Sequence, residues 1–125
     1  DHFVHMKNNS TRPWEIYELG IHSTVAGQLE PFRASGVGST VTVNNPRSLS
    51  EHDGASPVGT FETGVDLVMT VDNKIDRIYL AADTQYVIPR YERIQVGKAW
   101  ALNWEAATGI LSGHIVFFEV AVGDE

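Results

Sequence analysis

Residues 91–119, YERIQVGKAWALNWEAATGILSGHIVFFE, limit the fold more than any other stretch, because three successive strand signals occur there with no competing helical period. Ile94 and Val96 alternate with polar residues, and Trp100, Leu102 and Trp104 do the same. Residues 115–122 are a dense run of β-branched and aromatic side chains. Gly97-Lys98 and the small residues of 107–113 separate the three segments. The pattern predicts an antiparallel meander that closes an all-β domain.

The remaining chain reads in the same way. Residues 14–21 (WEIYELGI) form a strand after Pro13, with Tyr17, Leu19 and Ile21 on one face and Trp14 and Ile16 on the other. Apolar residues on both faces predict that both are covered, one by a second sheet and one by an arm or another subunit. Further strands are expected at 39–43, 65–71, 75–80, 86–88, 93–96, 98–104 and 113–122, with Pro89 ending the fifth of the eight. Asp72-Asn73 is expected as a turn, and residues 48–57 as an exposed loop. About eight short strands separated by turn chemistry predict a two-sheet antiparallel sandwich, jelly-roll-like, with an immunoglobulin-like sandwich as its rival. Residues 1–12, polar apart from Phe3, Val4 and Met6, read as an N-terminal arm, and 13–125 as one domain. The expected core is Leu19, Ile21, Leu67, Met69, Ile78, Leu80, Trp100, Leu102, Phe117 and Val120.

Composition narrows the function classes. A chain of 125 residues suffices for one hydrophobic core. Sixteen acidic against nine basic residues give a formal charge of -7, with the basic residues scattered, so no nucleic-acid partner is expected. The absence of cysteine excludes disulfides, thiol catalysis and cysteine-ligated metals. No run approaches the ~20 apolar residues of a membrane helix, so no membrane partner is expected.

The chemically able residues form no recognisable constellation. His2 and His5 make an H-x-x-H in the arm, while His22, His52 and His114 are far apart, so no metal or other cofactor is expected; His22 or His114 with Glu119 is the best alternative. No serine sits in a nucleophile elbow, and Glu15, Glu18, Asp66 and Asp72 read as solvated strand faces, so no enzyme activity is expected. Trp100 and Trp104 read as core. Trp14, beside Pro13 at the domain edge, is a candidate protein-contact residue together with Phe3 and Val4. An exposed aromatic of this kind also suits a lectin-like carbohydrate-binding module. Residues 8–11 (NNST) contain two overlapping glycosylation sequons.

A strand W-E-I-Y-E-L-G-I continued by Ser23-Thr24-Val25-Ala26-Gly27, a Gly/Pro-rich excursion, R-I-Y-L-A-A, I-x-V-G-x-A-W-A-L and a final aromatic strand ending at Phe118-Glu119 together resemble small phage virion proteins of jelly-roll type. The similarity covers residues 13–119. Where such proteins often place Leu-Gly-Arg-Pro after the small residues, this chain has Leu29-Glu30-Pro31-Phe32-Arg33. The resemblance implies a structural protein of the virion, decorating or cementing a capsid or sitting at portal or tail positions as a minor virion protein. It also implies contacts with other capsid proteins and a symmetric homo-oligomer, for which a closed ring or trimer, with the trimer favoured, is the simplest arrangement that uses one patch repeatedly. Residues 33–57 would then be a contact or outward-facing loop.

Overall fold

The computed structural model describes residues 2–34, 42–43, 59–64, 67, 69–105, 109–121 and 123. It is an all-β sandwich of two antiparallel sheets. The strands are β1 (His2–Asn8), β2 (Trp14–Ser23), β3 (Gly27–Ala34), β4 (Thr42–Val43) and β5 (Gly59–Thr63), then β6 (Val71–Lys74), β7 (Ile78–Leu80), β8 (Thr84–Ile94), β9 (Ala99–Glu105) and β10 (Leu111–Glu119). The larger sheet runs β4-β5-β1-β9-β3-β6, with β7 also on β3; the smaller runs β10-β2-β8.

Strand β9 is central to the larger sheet, between β1 and β3, and is buried on both faces. Trp100, Leu102 and Trp104 enter the main core between the sheets. Ala99 and Ala101 face the other way and join Ala34, Phe32 and Met69 in a second cluster. Alternation of large and small residues along β9 thus serves two unequal layers.

The order within β2 differs from strict alternation, and the difference decides the packing. Pairing of β2 shifts register between Ile16 and Glu18 on the β8 side and between Val116 and Phe117 on the β10 side, leaving Tyr17 without a paired residue on either strand. This β-bulge inserts one residue and reverses the phase. Trp14 and Ile16 therefore share the inner face with Leu19 and Ile21, all at most 3 % exposed, while Tyr17 is 52 % exposed. The apolar residues expected on two faces of β2 lie on one.

Residues 1–12, expected as an arm, instead supply β1, which pairs with β5 on one side and β9 on the other. Its polar residues did not read as interior, but His5 and Asn8 are fully buried. The Asn8 amide donates to the Ile94 carbonyl at 3.0 Å and to the Arg12 carbonyl at 2.8 Å. Its backbone brackets the next turn: Asn8 N–H donates to Lys98 O, and Gly97 N–H, at φ 78°, donates to Asn8 O. The end of β1 is thereby tied to the turn where the chain crosses from β8 to β9, that is, from one sheet to the other.

Other boundaries also move. Residues 86–88 and 93–96 were expected as separate strands, yet β8 runs through Pro89, which pairs opposite Glu18. Among the described residues β8 is an edge strand, where a missing N–H is tolerated. Strand β3, unforeseen, contains Pro31. Its carbonyl accepts from Ile75 N–H, and since a strand residue's N–H and C=O point the same way, the proline nitrogen faces the gap between β6 and β7. Asp72-Asn73 lies within β6 rather than in a turn. Of the strand expected at 65–71, only Val71 is in a strand among the described residues, and the loop at 48–57 lies outside them.

The expected core residues Leu19, Ile21, Leu67, Leu80, Trp100, Leu102 and Val120 are buried, and Met69, Ile78 and Phe117 are half-buried. Leu102, 1 % exposed at the centre of β9, gives the direct check: Leu102→Ala should cost about 2–5 kcal/mol in chemical denaturation. A loss below ~0.5 kcal/mol is the surface-residue result.

Candidate functional site

The three residues expected at a contact surface have different fates. Trp14 is fully buried, stacked on Phe61 of β5 at 5.3 Å between ring centroids and tilted against Phe117 of β10 at 5.1 Å. Its indole also lies where a Cβ on Gly59 would be, 2.2 Å from Trp14 Cη2. It is a core anchor joining the sheets, not a contact residue, because the bulge at Tyr17 turns it inward. Phe3 and Val4 are half-buried against the core. They line a cleft of about 240 Å3 between the two sheets.

This cleft has mostly apolar walls. Val4 and Met6 of β1, Phe61 of β5, Leu19 and Ile21 of β2, and Leu111, Ile115 and Phe117 of β10 contribute to it. The inward residues of β10 are only half-buried, so the packing of the sandwich is incomplete along that edge.

The outer face of the smaller sheet mixes apolar and charged side chains. Tyr17, Val87 and Phe118 are 52 %, 57 % and 47 % exposed. Between them, His114 Nε2 lies 2.8 Å from Glu18 Oε2 and Arg93 lies 3.4 Å from Glu15. Gly20 makes the first pair possible. A Cβ there would lie 2.2 Å from His114 Cε1, so only glycine lets the imidazole lie across β2 to reach Glu18.

Carboxylates cross the larger sheet in a buried polar layer. Glu62 pairs opposite His5, with Oε1 3.7 Å from His5 Nδ1, and both are buried. Glu30, 2 % exposed, accepts from Lys74 Nζ at 2.6 Å, Arg77 Nε at 3.0 Å and Asn103 Nδ2 at 3.0 Å. Burial pushes the Glu30 carboxyl up, but the bonds from Lys74, Asn103 and Arg77 together outweigh it and hold it below its ordinary 4.5. Sequence reasoning missed this group, since the partners that neighbouring strands bring beside the carboxylate are 44 residues (Lys74) and 73 residues (Asn103) away in the chain.

The histidines do not converge. His22 lies 3.9 Å from Asp83 and His114 beside Glu18, while Glu119 pairs opposite Trp14 and His114 opposite Gly20, five positions apart along β10. His52 lies outside the described residues. Among the described residues no three His, Asp or Glu side chains are grouped to hold a metal ion. Of the two sequon asparagines, Asn8 is buried with its amide engaged, and Asn9 is exposed.

No protein-family model, curated protein or solved structure matches the chain.

The Glu30 group predicts a pH dependence. A depressed carboxylate pKa contributes stability that is present above the unfolded value, near 4.5, and is lost as pH falls through the lower folded value. Glu30→Gln should cost about 1–3 kcal/mol at neutral pH. The gap to the parent should close as pH falls below about 4, as read by denaturation midpoints. A gap independent of pH would assign the loss to packing alone.

Proposed function

We propose that the chain is a structural β-sandwich that works through protein–protein contacts, of the kind used by small jelly-roll virion proteins to decorate or cement a capsid. It forms a homo-oligomer and docks on other virion proteins. The observation that carries this reading is the outer face of the β10-β2-β8 sheet, where Tyr17, Val87 and Phe118 are exposed together. Exposed apolar groups on one face, interspersed with the ion pairs of Glu18 and Glu15, have the mixture found at protein contacts. Phe118 pairs opposite Glu15, and Val116 opposite Glu18, so the apolar residues occupy adjacent rows rather than scattered sites.

Trp14 no longer contributes to this reading, and Phe3 and Val4 contribute through the cleft. A lectin-like module is the competing function. It loses its strongest support because Trp14, Trp100 and Trp104 are all at most 7 % exposed, leaving no indole on which to stack a sugar.

Phe118→Asp places a charge in the patch while leaving the inner face of β10 unchanged. In sedimentation velocity the parent should associate as concentration rises, and the variant should associate about tenfold more weakly, equivalent to ~1.4 kcal/mol, with unchanged circular dichroism. A parent that stays monomeric throughout and binds a glycan contradicts the structural reading.

A further inference from the structure

We propose that β10 pairs with β10 of a second copy of this chain, antiparallel about Ile115, joining two smaller sheets into one continuous six-stranded sheet. The proposal rests on the self-association reading above and gives it a specific edge and register.

The smaller sheet has two edges, and they are built differently. β8 carries Pro89 in mid-strand and the charged residues Arg90, Glu92 and Arg93, all features that discourage a further strand. β10 has nine residues, no proline, no lysine or arginine, and one carboxylate at its end, Glu119. Among the described residues its neighbour is β2 alone. The extra residue at the register shift belongs to β2, so β10 itself runs on unbulged. It is a long, continuous, weakly charged edge in a chain whose net charge is -7. Two copies meeting there avoid the like-charge repulsion that other faces would impose.

The cleft behind this edge fixes the register. Gly113 lines it, and a Cβ at that position would lie 2.0 Å from the Gly20 carbonyl oxygen. No other residue fits, so the wall has no side chain between Leu111 and Ile115. In an antiparallel pair centred on Ile115, Gly113 faces Phe117 of the second copy, and the rim of each phenyl ring, which packs on Trp14 and Phe61 of its own chain, borders the other chain's glycine. Aromatic cover of an edge glycine is a known stabilising device in sheets. Leu111 then faces Glu119 and His114 faces Val116, so no two carboxylates meet. The shared edge is about 30 Å long, and a sandwich about 20 Å deep makes the contact roughly 600 Å2 per partner. That lies at the lower end of specific interfaces and implies a reversible dimer. Its symmetry is two-fold, so a threefold assembly requires a second surface such as the Phe118 face.

Because the chain has no cysteine, one introduced thiol reports the register cleanly. Directly opposed residues have Cα atoms about 4.5–5.5 Å apart, within reach of a disulfide, whereas Val116 and its symmetry mate are about 8 Å apart, beyond it. Mild oxidation should convert most Ile115→Cys chains to disulfide-linked dimer and leave Val116→Cys and, on the other sheet, the exposed Tyr79→Cys as monomers. In the unmodified protein, raising the concentration should slow amide exchange in residues 111–119 by tenfold or more and leave residues 84–94 unchanged. If the protein associates but Ile115→Cys stays reduced and β10 exchange is not slowed, the edge pairing is overturned while the self-association reading stands. If it is monomeric at all concentrations, both fall. An apolar dye bound one per monomer in the cleft, with no slowing at β10, also overturns the pairing, in favour of a small apolar ligand.

Discussion

The one-residue bulge at Tyr17 is the constraint on which the sandwich depends. Side chains alternate with a period of two along a strand, so an uninterrupted β2 would send Trp14 and Ile16 to one face and Leu19 and Ile21 to the other. The inserted residue brings all four to the inner face. Trp14 then reaches Phe61 in the larger sheet and Phe117 in its own, and these three rings form the aromatic bridge between the layers. Gly59 is the complementary concession, since any side chain there would occupy the space of the indole.

The same geometry accounts for what is left open. Core-facing residues of β2 and β9 are fully enclosed, but those of β10 are not, because the glycine that lets β10 approach β2 at Gly20 also leaves a gap in its inner wall. An enclosed centre and an incomplete edge are consequences of one close strand contact. Polar chemistry is placed on the opposite side of the larger sheet, where Glu30 gathers Lys74, Arg77 and Asn103. That group reads as a structural tie among β3, β6 and β9 with its neighbouring loop, since its three donors engage both carboxylate oxygens.

Much of the fold was legible in particular residues. Trp100, Leu102 and Trp104 announced β9 by simple alternation, and the dense apolar run announced β10. Residues 14–21 contained the bulge as apolar positions at i, i+2, i+5 and i+7, but that spacing equally describes a strand covered on both faces, and only pairing partners distinguish the two. β1 and β3 were hidden for another reason. Their buried residues His5, Asn8 and Glu30 are polar groups whose burial is compensated by partners distant in sequence, and Pro31 is tolerated only because its neighbours part there. The candidate site was less legible still: Phe118, Val87 and Tyr17 come from three strands, and their shared exposure depends on the bulge.

Deletion of Tyr17 tests this account most directly. Without the extra residue, alternation forces either Trp14 and Ile16 or Leu19 and Ile21 out of the core, at about 1.5–3 kcal/mol for each exposed side chain. Urea denaturation should show the deletion variant at least ~3 kcal/mol less stable than the parent, or unfolded, while Tyr17→Ala, which keeps the residue count, stays within about 1 kcal/mol. A deletion variant as stable as the parent, with Trp14 still shielded from a soluble quencher, would show that the bulge does not set the phase of the core.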